Sequence, residues 1–357
     1  MKCCATCQHR KKNKLSCEKY KALKPWRVIV DHKFCKHYAS SIFVPAACDP
    51  LDAYLGFAIG DAMGVPVEFL SRKEMERNPV TDMEGHGAHM QPPGVWSDDT
   101  SLLLANSHAL TTYGYDLEMI ANEMIEWMDY GKYSATGTMF GLGDETRKSL
   151  DRIKAGYEAI SAGGIGNYEN GNGSLMRILP MAYFLLNCND FEKKRRIIFE
   201  VSSITHRNLT SKIACHFLVE LVMKVIETKD FEVSYKDTCC VFSGFYEEEK
   251  EGVFKRIFSG KIGMLLEREV KTSSYVIDTL EAVLWCIANT DNYKNSVIKA
   301  INLGGDTDTI GAIVGGIAGI IYGKDKIPQK WVETCANKKL IKEEAWKMKE
   351  LVKNFQL

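Results

Sequence analysis

The sequence predicts an all-α protein. Apolar residues recur at spacings of three and four residues through many segments, which is the pattern of helices that bury one face. The alternating pattern of strands is almost absent. Glycine-rich polar stretches separate the apolar segments, and we expect functional residues there. The predicted helices lie at 101–110, 117–130, 175–186, 191–202, 211–228, 276–288 and 310–322.

The composition is that of an ordinary globular protein. A chain of 357 residues can form one large domain or two smaller ones. Hydrophobic residues make up 45% and charged residues 26%, which argues against a disordered or a membrane protein. The 46 basic side chains balance the 46 acidic ones, so the net charge gives no indication of a nucleic-acid partner.

The sequence gives no sign of secretion or membrane insertion. No apolar stretch follows a basic start, and the longest apolar run, 310–322, is too short to cross a bilayer. Cys188, Cys215, Cys286 and Cys335 lie singly in apolar segments, as buried free thiols do in a reducing compartment. We therefore expect a cytoplasmic protein without membrane contact.

The N-terminal segment differs in composition from the rest of the chain. Cysteines and basic residues are concentrated there, and apolar residues are too few to close a core without a metal or a cross-link. Pro45 and Pro50 mark the boundary. We predict a small cysteine-rich module over residues 1–45 and a large domain over 46–357.

The cysteine spacing in this module favours a structural zinc site. Cys4 and Cys7 form a Cys-x-x-Cys pair, and Cys17 and Cys35 supply further thiolates. An iron–sulfur cluster and unbound thiols are the alternatives. The basic residues could contact nucleic acid, although a solvated basic face explains them equally well.

Glu68 is the first candidate catalytic residue. It follows an apolar helix that carries Asp61 and is interrupted near Gly64 and Pro66. A carboxyl group between apolar neighbours can act as a general acid or base. Taken alone, this motif fits a solvent-facing glutamate beyond a helix end better.

Paired acidic residues precede two of the apolar helices, in the segments 97–100 (Ser-Asp-Asp-Thr) and 305–309 (Gly-Asp-Thr-Asp-Thr). Helix capping explains one carboxylate for each helix, but not two. In a closed core these carboxylates would repel one another unless cations neutralised them. Sets of oxygen ligands suit Mg²⁺, Mn²⁺ or Ca²⁺, so the sequence predicts a metal site.

A glycine-rich loop, 171–174 (Gly-Asn-Gly-Ser), precedes the helix predicted at 175–186. Free backbone N–H groups and a helix N-terminus would then lie together, which suits a phosphate or diphosphate. A plain turn capped by Ser174 explains the segment equally well. The loop lacks the Gly-Lys-Ser/Thr ending of a P-loop and follows no strand, which argues against a nucleoside triphosphatase.

The helix predicted at 310–322 carries small residues on one face. Gly311, Gly315 and Gly319 are four residues apart and therefore lie in one stripe. Without side chains there, another helix can approach closely. We expect this helix to be the central one.

In their order along the chain, these motifs resemble the ADP-ribosylglycohydrolase family. The resemblance spans about 51–322 and includes Gly60-Asp61 with Glu68, both acidic segments, the 171–174 loop with Met176-Arg177, and Thr205-His206. It implies an orthogonal bundle of helices with a pair of Mg²⁺ or Mn²⁺ ions at its centre. The implied activity is hydrolysis of the glycosidic bond between ADP-ribose and an acceptor, either a protein or a small molecule.

The resemblance also implies roles for individual residues. It assigns the proton-transfer role to Glu68 or Asp98, and it places His206 near the nucleoside. It assigns the diphosphate to the loop residues Gly171, Asn172, Gly173 and Ser174. The implied metal ligands are Ser97, Asp98, Asp99, Asp306, Asp308 and Thr309.

Gly141 departs from the pattern of many bacterial members, which carry Asp-Ile-Gly-x-x-Thr with a catalytic Asp where this chain has Gly-Leu-Gly-Asp-Glu-Thr. Glu68 or Asp98 then transfers the proton, Asp144 replaces the missing Asp, or the activity differs from that of arginine-directed members. A hydrolase of a free ADP-ribosyl metabolite and a non-catalytic ADP-ribose-binding protein are the alternative functions. The intact acidic segments argue against the second.

Overall fold

The computed structural model describes residues 48–354, and these fold into α-helices joined by loops and short 3₁₀ turns. The only β-pairing among them consists of isolated bridges. The all-α prediction is therefore confirmed. The helices are α1 (Pro50–Gly64), α2 (Arg72–Arg77), α3 (Asp98–Tyr113), α4 (Leu117–Tyr130), α5 (Asp144–Lys154), α6 (Ala159–Ala162), α7 (Pro180–Phe184), α8 (Phe191–Ser203), α9 (Leu209–Thr228), α10 (Phe231–Phe245), α11 (Lys255–Phe258), α12 (Val276–Ala288), α13 (Tyr293–Asn302), α14 (Thr307–Tyr322), α15 (Gln329–Thr334) and α16 (Lys338–Asn354).

The helix pair α1 and α14 forms the centre of the fold. The helices run antiparallel with their backbones in contact: a Cβ atom at Gly56 would lie 2.4 Å from the Gly315 carbonyl oxygen. A Cβ at Gly60 would lie 2.0 Å from the Gly311 oxygen. The glycine stripe of α14 thus makes the close helix contact that its spacing predicts.

This packing brings the C-terminal end of α1 to the N-terminal end of α14. A Cβ at Gly64 would lie 2.3 Å from the backbone nitrogen of Asp308. The Thr307 hydroxyl donates a hydrogen bond to the Gly64 carbonyl oxygen at 2.8 Å. Residues near the end of α1 therefore lie beside the acidic segment that begins α14.

The other long helices surround this pair. Helix α3 packs against α1, α4 and α16, and α12 packs against α14 and α9. Their inward faces are apolar: Leu102, Leu103 and Leu104 of α3 and Val283 and Leu284 of α12 are fully buried. The acidic N-terminal ends of α3 and α14 are thereby held in the interior.

The helix predicted at 175–186 was wrong in extent. Residues 173–177 form turns, and only Pro180–Phe184 is helical. Proline has no N–H to donate to a carbonyl four residues earlier, so the helix begins at Pro180. The glycine-rich loop consequently does not end in a helix N-terminus, so no helix N-terminus contributes to the predicted anion site.

Within residues 48–354, no helix is long and apolar enough to cross a membrane. Cys188, Cys215, Cys286 and Cys335 are buried and free, as expected. The predicted cysteine-rich module over 1–45 lies outside the described residues, together with Cys4, Cys7, Cys17 and Cys35.

Candidate functional site

The two acidic segments meet where α1, α3 and α14 converge. Asp98 and Asp99 lie in the first turn of α3, and Asp308 lies in the first turn of α14. Asp306 immediately precedes α14, and Asp61 lies in the last turn of α1. All of these carboxylates are buried. The structure thus brings the predicted metal-ligating carboxylates into one region.

Asp61 holds the turn that precedes α3. Its Oδ1 accepts a hydrogen bond from the Ser97 backbone N–H at 2.9 Å. Its Oδ2 accepts from the Thr100 backbone N–H at 3.0 Å and from the Thr100 hydroxyl at 2.6 Å. Burial raises the pKa of Asp61 to about 6. The sequence alone does not reveal this role of Asp61, because its partners lie more than thirty residues away.

Asp99 presents an oxygen without a partner to the centre of this cluster. Its Oδ2 accepts hydrogen bonds from the Ser97 hydroxyl at 3.0 Å and from the Thr309 hydroxyl at 3.3 Å. Its Oδ1 is buried and has no hydrogen-bond donor among the described residues. Asp61, Asp99 and Asp308 offer carboxylate oxygens that lie within 4.8 Å of one another. A buried carboxylate oxygen of this kind needs a cation or a water molecule.

Glu68 and His89 form a second group of possible metal ligands, which shares Asp308 with the first group. The Glu68 carboxylate forms a hydrogen bond with the His89 imidazole, and this bond raises the pKa of His89. Ligand atoms of Glu68, His89 and Asp308 also lie within 4.8 Å of one another. His89 was not predicted from the sequence, where its only signal is its place in a glycine-rich stretch, 85–94.

The carboxylates of Asp98, Asp99 and Asp308 lie together without a lysine or arginine partner in the part of the chain that the structure describes. Burial raises the pKa of Asp98, Asp99 and Asp308 well above the usual value, and repulsion between neighbouring carboxylates raises these pKa values further. Within residues 48–354, no lysine or arginine forms an ion pair with these three groups. Carboxylate and hydroxyl oxygens together fit a hard divalent cation.

Asn172 connects the glycine-rich loop to the acidic cluster. Its side-chain amide donates hydrogen bonds to Asp306 Oδ2 and to the Thr279 hydroxyl, each at 2.9 Å. Its backbone N–H donates to the Ser274 carbonyl oxygen at 3.0 Å. The loop and the carboxylate are therefore parts of one site.

His206 lies against the other side of this loop. A Cβ at Gly173 would lie 2.8 Å from the His206 Cε1 atom, and one at Gly171 would lie 3.3 Å from Nε2. Glycine at 173 is therefore needed for the imidazole to fit. Ser174 faces the interior, where its hydroxyl bonds to the Ser202 hydroxyl at 3.0 Å. Its side chain consequently lies apart from the open side of the loop.

All of the residues that build this site lie within a segment that matches one protein-family model. Residues 51–356 match the family model described as ADP-ribosylglycohydrolase. The chain belongs to the ADP-ribosylglycohydrolase family. This confirms the resemblance stated from the motifs and extends it from residue 322 almost to the end of the chain.

Several relatives agree with this assignment. An ADP-ribosylarginine hydrolase, Tri1, of Serratia proteamaculans is 31% identical over 81% of this chain and 75% of its own length. The ADP-ribosyl-[dinitrogen reductase] glycohydrolase of Rhodospirillum rubrum is 29% identical over 79% of this chain and 88% of its own. A solved ADP-ribosylglycohydrolase-related protein complex superimposes with a TM-score of 0.70 at 28% identity, covering 85% of this chain and 97% of that one.

The family assignment makes this chain an enzyme. ADP-ribosylglycohydrolases hydrolyse the glycosidic bond between ADP-ribose and an acceptor, as the resemblance implied. The buried acidic cluster agrees with the dependence on metal that is characteristic of the family.

Gly141 borders the acidic cluster. At this position the ADP-ribosylglycohydrolase differs from the bacterial pattern. The φ of Gly141 is +83°, and a Cβ there would lie 2.4 Å from Asp98 Oδ1. A side chain at this position would therefore displace the Asp98 carboxylate. Asp144, the other candidate in this segment, is exposed at the start of α5, and its side chain makes no hydrogen bond or ion pair with any residue that the structure describes.

Proposed function

We propose that this enzyme releases ADP-ribose from arginine side chains of proteins, in a reaction that depends on Mg²⁺ or Mn²⁺. Two relatives at 31% identity are ADP-ribosylarginine hydrolases, which supports arginine as the acceptor. The observation that carries the proposal is the joining of the acidic cluster to the glycine-rich loop through the Asn172–Asp306 hydrogen bond. One ligand with a ribose and a diphosphate could contact both parts.

The proposed metal ligands are Ser97, Asp98, Asp99, Asp306, Asp308 and Thr309. The unpartnered Asp99 Oδ1 and the uncompensated charge around it support this set. Asp61 already accepts hydrogen bonds on both oxygens, so we assign it to holding the Ser97–Thr100 turn in place. When bound, divalent cations in this site neutralise the carboxylates and polarise the hydroxyl groups of the distal ribose.

Proton transfer is assigned to Glu68, with Asp98 as the second candidate. The reaction breaks the bond between the anomeric carbon and the acceptor nitrogen and joins that carbon to a water oxygen. A carboxylate takes one proton from the water, and the departing nitrogen receives one. His89 holds the Glu68 carboxylate at the edge of the cluster, where water and the acceptor can reach it.

The diphosphate is assigned to the loop of Gly171, Asn172, Gly173 and Ser174. His206 packs against this loop and is assigned to contact with the substrate. Backbone N–H groups of such loops bind anions without carrying a charge of their own. Because the Ser174 hydroxyl bonds inside the protein, we expect Ser174 to contribute through its backbone.

The acceptor is tested by measuring release of free ADP-ribose from arginine-linked, serine-linked and nucleic-acid-linked substrates, in Mg²⁺, in Mn²⁺ and in EDTA. We expect metal-dependent release from the arginine linkage. Release only from another linkage, or from a free ADP-ribosyl metabolite, would replace arginine as the acceptor. Tight binding of ADP-ribose without any release would favour the binding-protein alternative.

For the N-terminal segment, we propose a zinc-binding module over residues 1–45 beside a catalytic domain over 46–357, in a cytoplasmic protein. The spacing of Cys4, Cys7, Cys17 and Cys35 supports zinc, and the basic residues leave contact with nucleic acid as a further hypothesis. Metal analysis of the purified chain tests the first point: one zinc per chain that is lost in Cys4→Ser and kept in Cys240→Ser supports it. Equal RNA and DNA affinity with and without residues 1–45 would exclude the nucleic-acid hypothesis.

A further inference from the structure

His206 is joined through Thr205 to a buried arginine that the proposed mechanism does not use. The Arg177 guanidinium is completely buried, and its Nη2 donates to the Thr205 hydroxyl oxygen at 2.8 Å and to the Val201 carbonyl oxygen at 3.2 Å. The same Thr205 oxygen lies 2.9 Å from His206 Nδ1. These three side chains form one hydrogen-bonded chain that ends at the glycine-rich loop.

The chemistry of the donors determines the direction of each bond in this chain. A guanidinium has only donors, so the Thr205 oxygen must accept from Arg177. The Thr205 side chain is fully buried, and within residues 48–354 the only group that could accept its hydroxyl hydrogen is His206 Nδ1. If His206 Nδ1 carried a proton, the hydroxyl hydrogen would be buried without an acceptor, which is costly. The hydroxyl therefore donates to Nδ1.

This direction leaves the proton of the neutral imidazole on Nε2. Burial, assisted by the nearby Arg177 charge, lowers the pKa of His206 to about 3, so the ring stays neutral at physiological pH. Its Nε2 lies on the side of Gly171 and has no hydrogen-bond partner among the described residues, although the histidine is only 3% exposed. A donor directed at a glycine-rich loop in this way can donate to a ligand oxygen bound in the loop.

Arg177 also contributes charge. Burial lowers the pKa of its guanidinium to about 10, so the group is still protonated near neutral pH. Within the described part of the chain, no carboxylate pairs with it, and its Nε and Nη1 have no partner. A buried, unpaired cation behind the loop favours an anion on the loop's other side.

We infer that Arg177 and Thr205 are positioning residues that hold His206 in its Nε2–H tautomer, so that His206 donates a hydrogen bond to an anionic oxygen of the ligand in the Gly171–Ser174 loop. The ligand class is a diphosphate, in place of the nucleoside contact that the resemblance implied for His206, and this identification rests on the proposed function. The tautomer itself follows from the buried hydrogen bonds and requires no ligand.

The tautomer is tested in the full chain, without substrate, by long-range ¹H–¹⁵N correlation of ¹⁵N-histidine-labelled protein. The His206 signals are identified as those lost in His206→Asn. We expect an unprotonated Nδ1 and a protonated Nε2 in the wild type at pH 7. A protonated Nδ1 in the wild type would overturn the inference, and this result depends on no variant that changes the hydrogen bonds.

The hydrogen-bonded chain from Arg177 through Thr205 to His206, here called the relay, is tested with two variants. Thr205→Val removes the hydroxyl and keeps the shape of the side chain, and Thr205→Ser keeps the hydroxyl. We expect Thr205→Val to lose the single Nε2–H tautomer and to raise the KM for ADP-ribosylated arginine about tenfold, with kcat changed less than about twofold. Thr205→Ser should keep the wild-type tautomer and KM. An unchanged tautomer and KM in Thr205→Val would overturn the positioning role.

These measurements separate the relay from the proposed function. If the wild type has the Nε2–H tautomer but neither binds ADP-ribose nor releases it, the relay is supported and the diphosphate ligand is wrong. If ADP-ribose is released while His206 has a protonated Nδ1, the proposed function stands and the relay is overturned.

Discussion

The side-chain amide of Asn172 donates a hydrogen bond to Asp306 Oδ2 across 2.9 Å, although the two residues are 134 positions apart. Asn172 belongs to the glycine-rich loop, and Asp306 belongs to the acidic cluster. The orientation of the Asp306 carboxylate therefore depends on the conformation of the loop. Outer groups that orient a metal ligand affect both metal affinity and substrate binding.

Removing this bond should weaken metal binding even though Asn172 is not itself a proposed ligand. We expect Asn172→Ala to lower the affinity for Mn²⁺ about tenfold or more and to raise the KM for the substrate. Titration calorimetry with Mn²⁺ measures the first effect. Thr279→Val is the matched control, because it removes the other acceptor of the same amide and leaves the Asp306 bond. Equal Mn²⁺ affinity in Asn172→Ala and the wild type would show that the bond is incidental.

The charge of Asp308 should stabilise the metal complex and destabilise the metal-free protein. Because its pKa is raised, the native state binds a proton at Asp308 more tightly than the unfolded chain does. This proton binding stabilises the native state at low pH, and the stabilisation is lost as pH rises from about 4 through the raised pKa. In EDTA at pH 8, Asp308→Asn should therefore raise Tm by about 2 °C or more. The same variant should lose metal-dependent stabilisation and at least about a hundredfold in turnover.

Thermal unfolding at pH 5.5 and at pH 8, in EDTA and in Mn²⁺, measures both effects of the Asp308 charge on stability, without and with metal. Asp325→Asn is a control in a short turn whose carboxylate lies outside the cluster, and it should leave both Tm and turnover unchanged. Full turnover in Asp308→Asn would refute the assignment of Asp308 as a metal ligand. A lower Tm in EDTA at pH 8 would contradict the destabilising effect of its buried charge. For Asp98→Ala we likewise expect loss of metal and turnover with the fold kept.

Restoring the aspartate of the bacterial pattern should inactivate this enzyme. A side chain at Gly141 would collide with Asp98 Oδ1, and its φ of +83° strains any other residue. We expect Gly141→Asp and Gly141→Ala to reduce turnover about a hundredfold or more by displacing a catalytic carboxylate. Assays of ADP-ribose release on both variants check this expectation.

Gly137 supplies the control, because its φ of +84° is nearly the same and a Cβ there would meet nothing within 4 Å. Gly137→Ala should cost about 1 to 2 kcal/mol of stability and keep its turnover. If Gly141→Asp gained activity, Gly141 would be a site where a missing catalytic group can be restored, and the proton-transfer role of Glu68 would need revision.

The contact between α1 and α14 should tolerate no methyl group. In Gly60→Ala, the new Cβ would lie 2.0 Å from the Gly311 carbonyl oxygen, so the helices must separate. We expect a loss of about 3 kcal/mol or more in the free energy of unfolding, measured by urea denaturation. Gly244→Ala, in an open position of α10, should instead stabilise by about 0.5 to 1 kcal/mol. Similar effects in both variants would contradict the close backbone contact.

The sequence predicted the features of this fold that depend on local pattern. The acidic segments before α3 and α14 and the glycine stripe of α14 follow from composition and spacing alone. The extent of the 175–186 helix was wrong because the apolar spacing there continues through Pro180, whose ring limits the helix to the residues that follow. Periodicity cannot detect that interruption.

The features that sequence reasoning missed depend on contacts between distant segments. His89 reaches Glu68 from a separate loop, and the role of Asp61 depends on backbone N–H groups of Ser97 and Thr100. Backbone donors leave no signal in side-chain identity. Ser174 illustrates the opposite case, since its type suits a phosphate loop but its hydroxyl bonds inward.

The central claim, that the buried acidic cluster binds the cations on which hydrolysis depends, is tested most directly by one titration. The enzyme is stripped with EDTA, and the rate of ADP-ribose release from ADP-ribosylated arginine is measured as Mn²⁺ is returned, for the wild type and for Asp308→Asn. We predict negligible release in EDTA, a saturable recovery in the wild type and no recovery in the variant. Full release in EDTA, or equal recovery in both proteins, would contradict the claim.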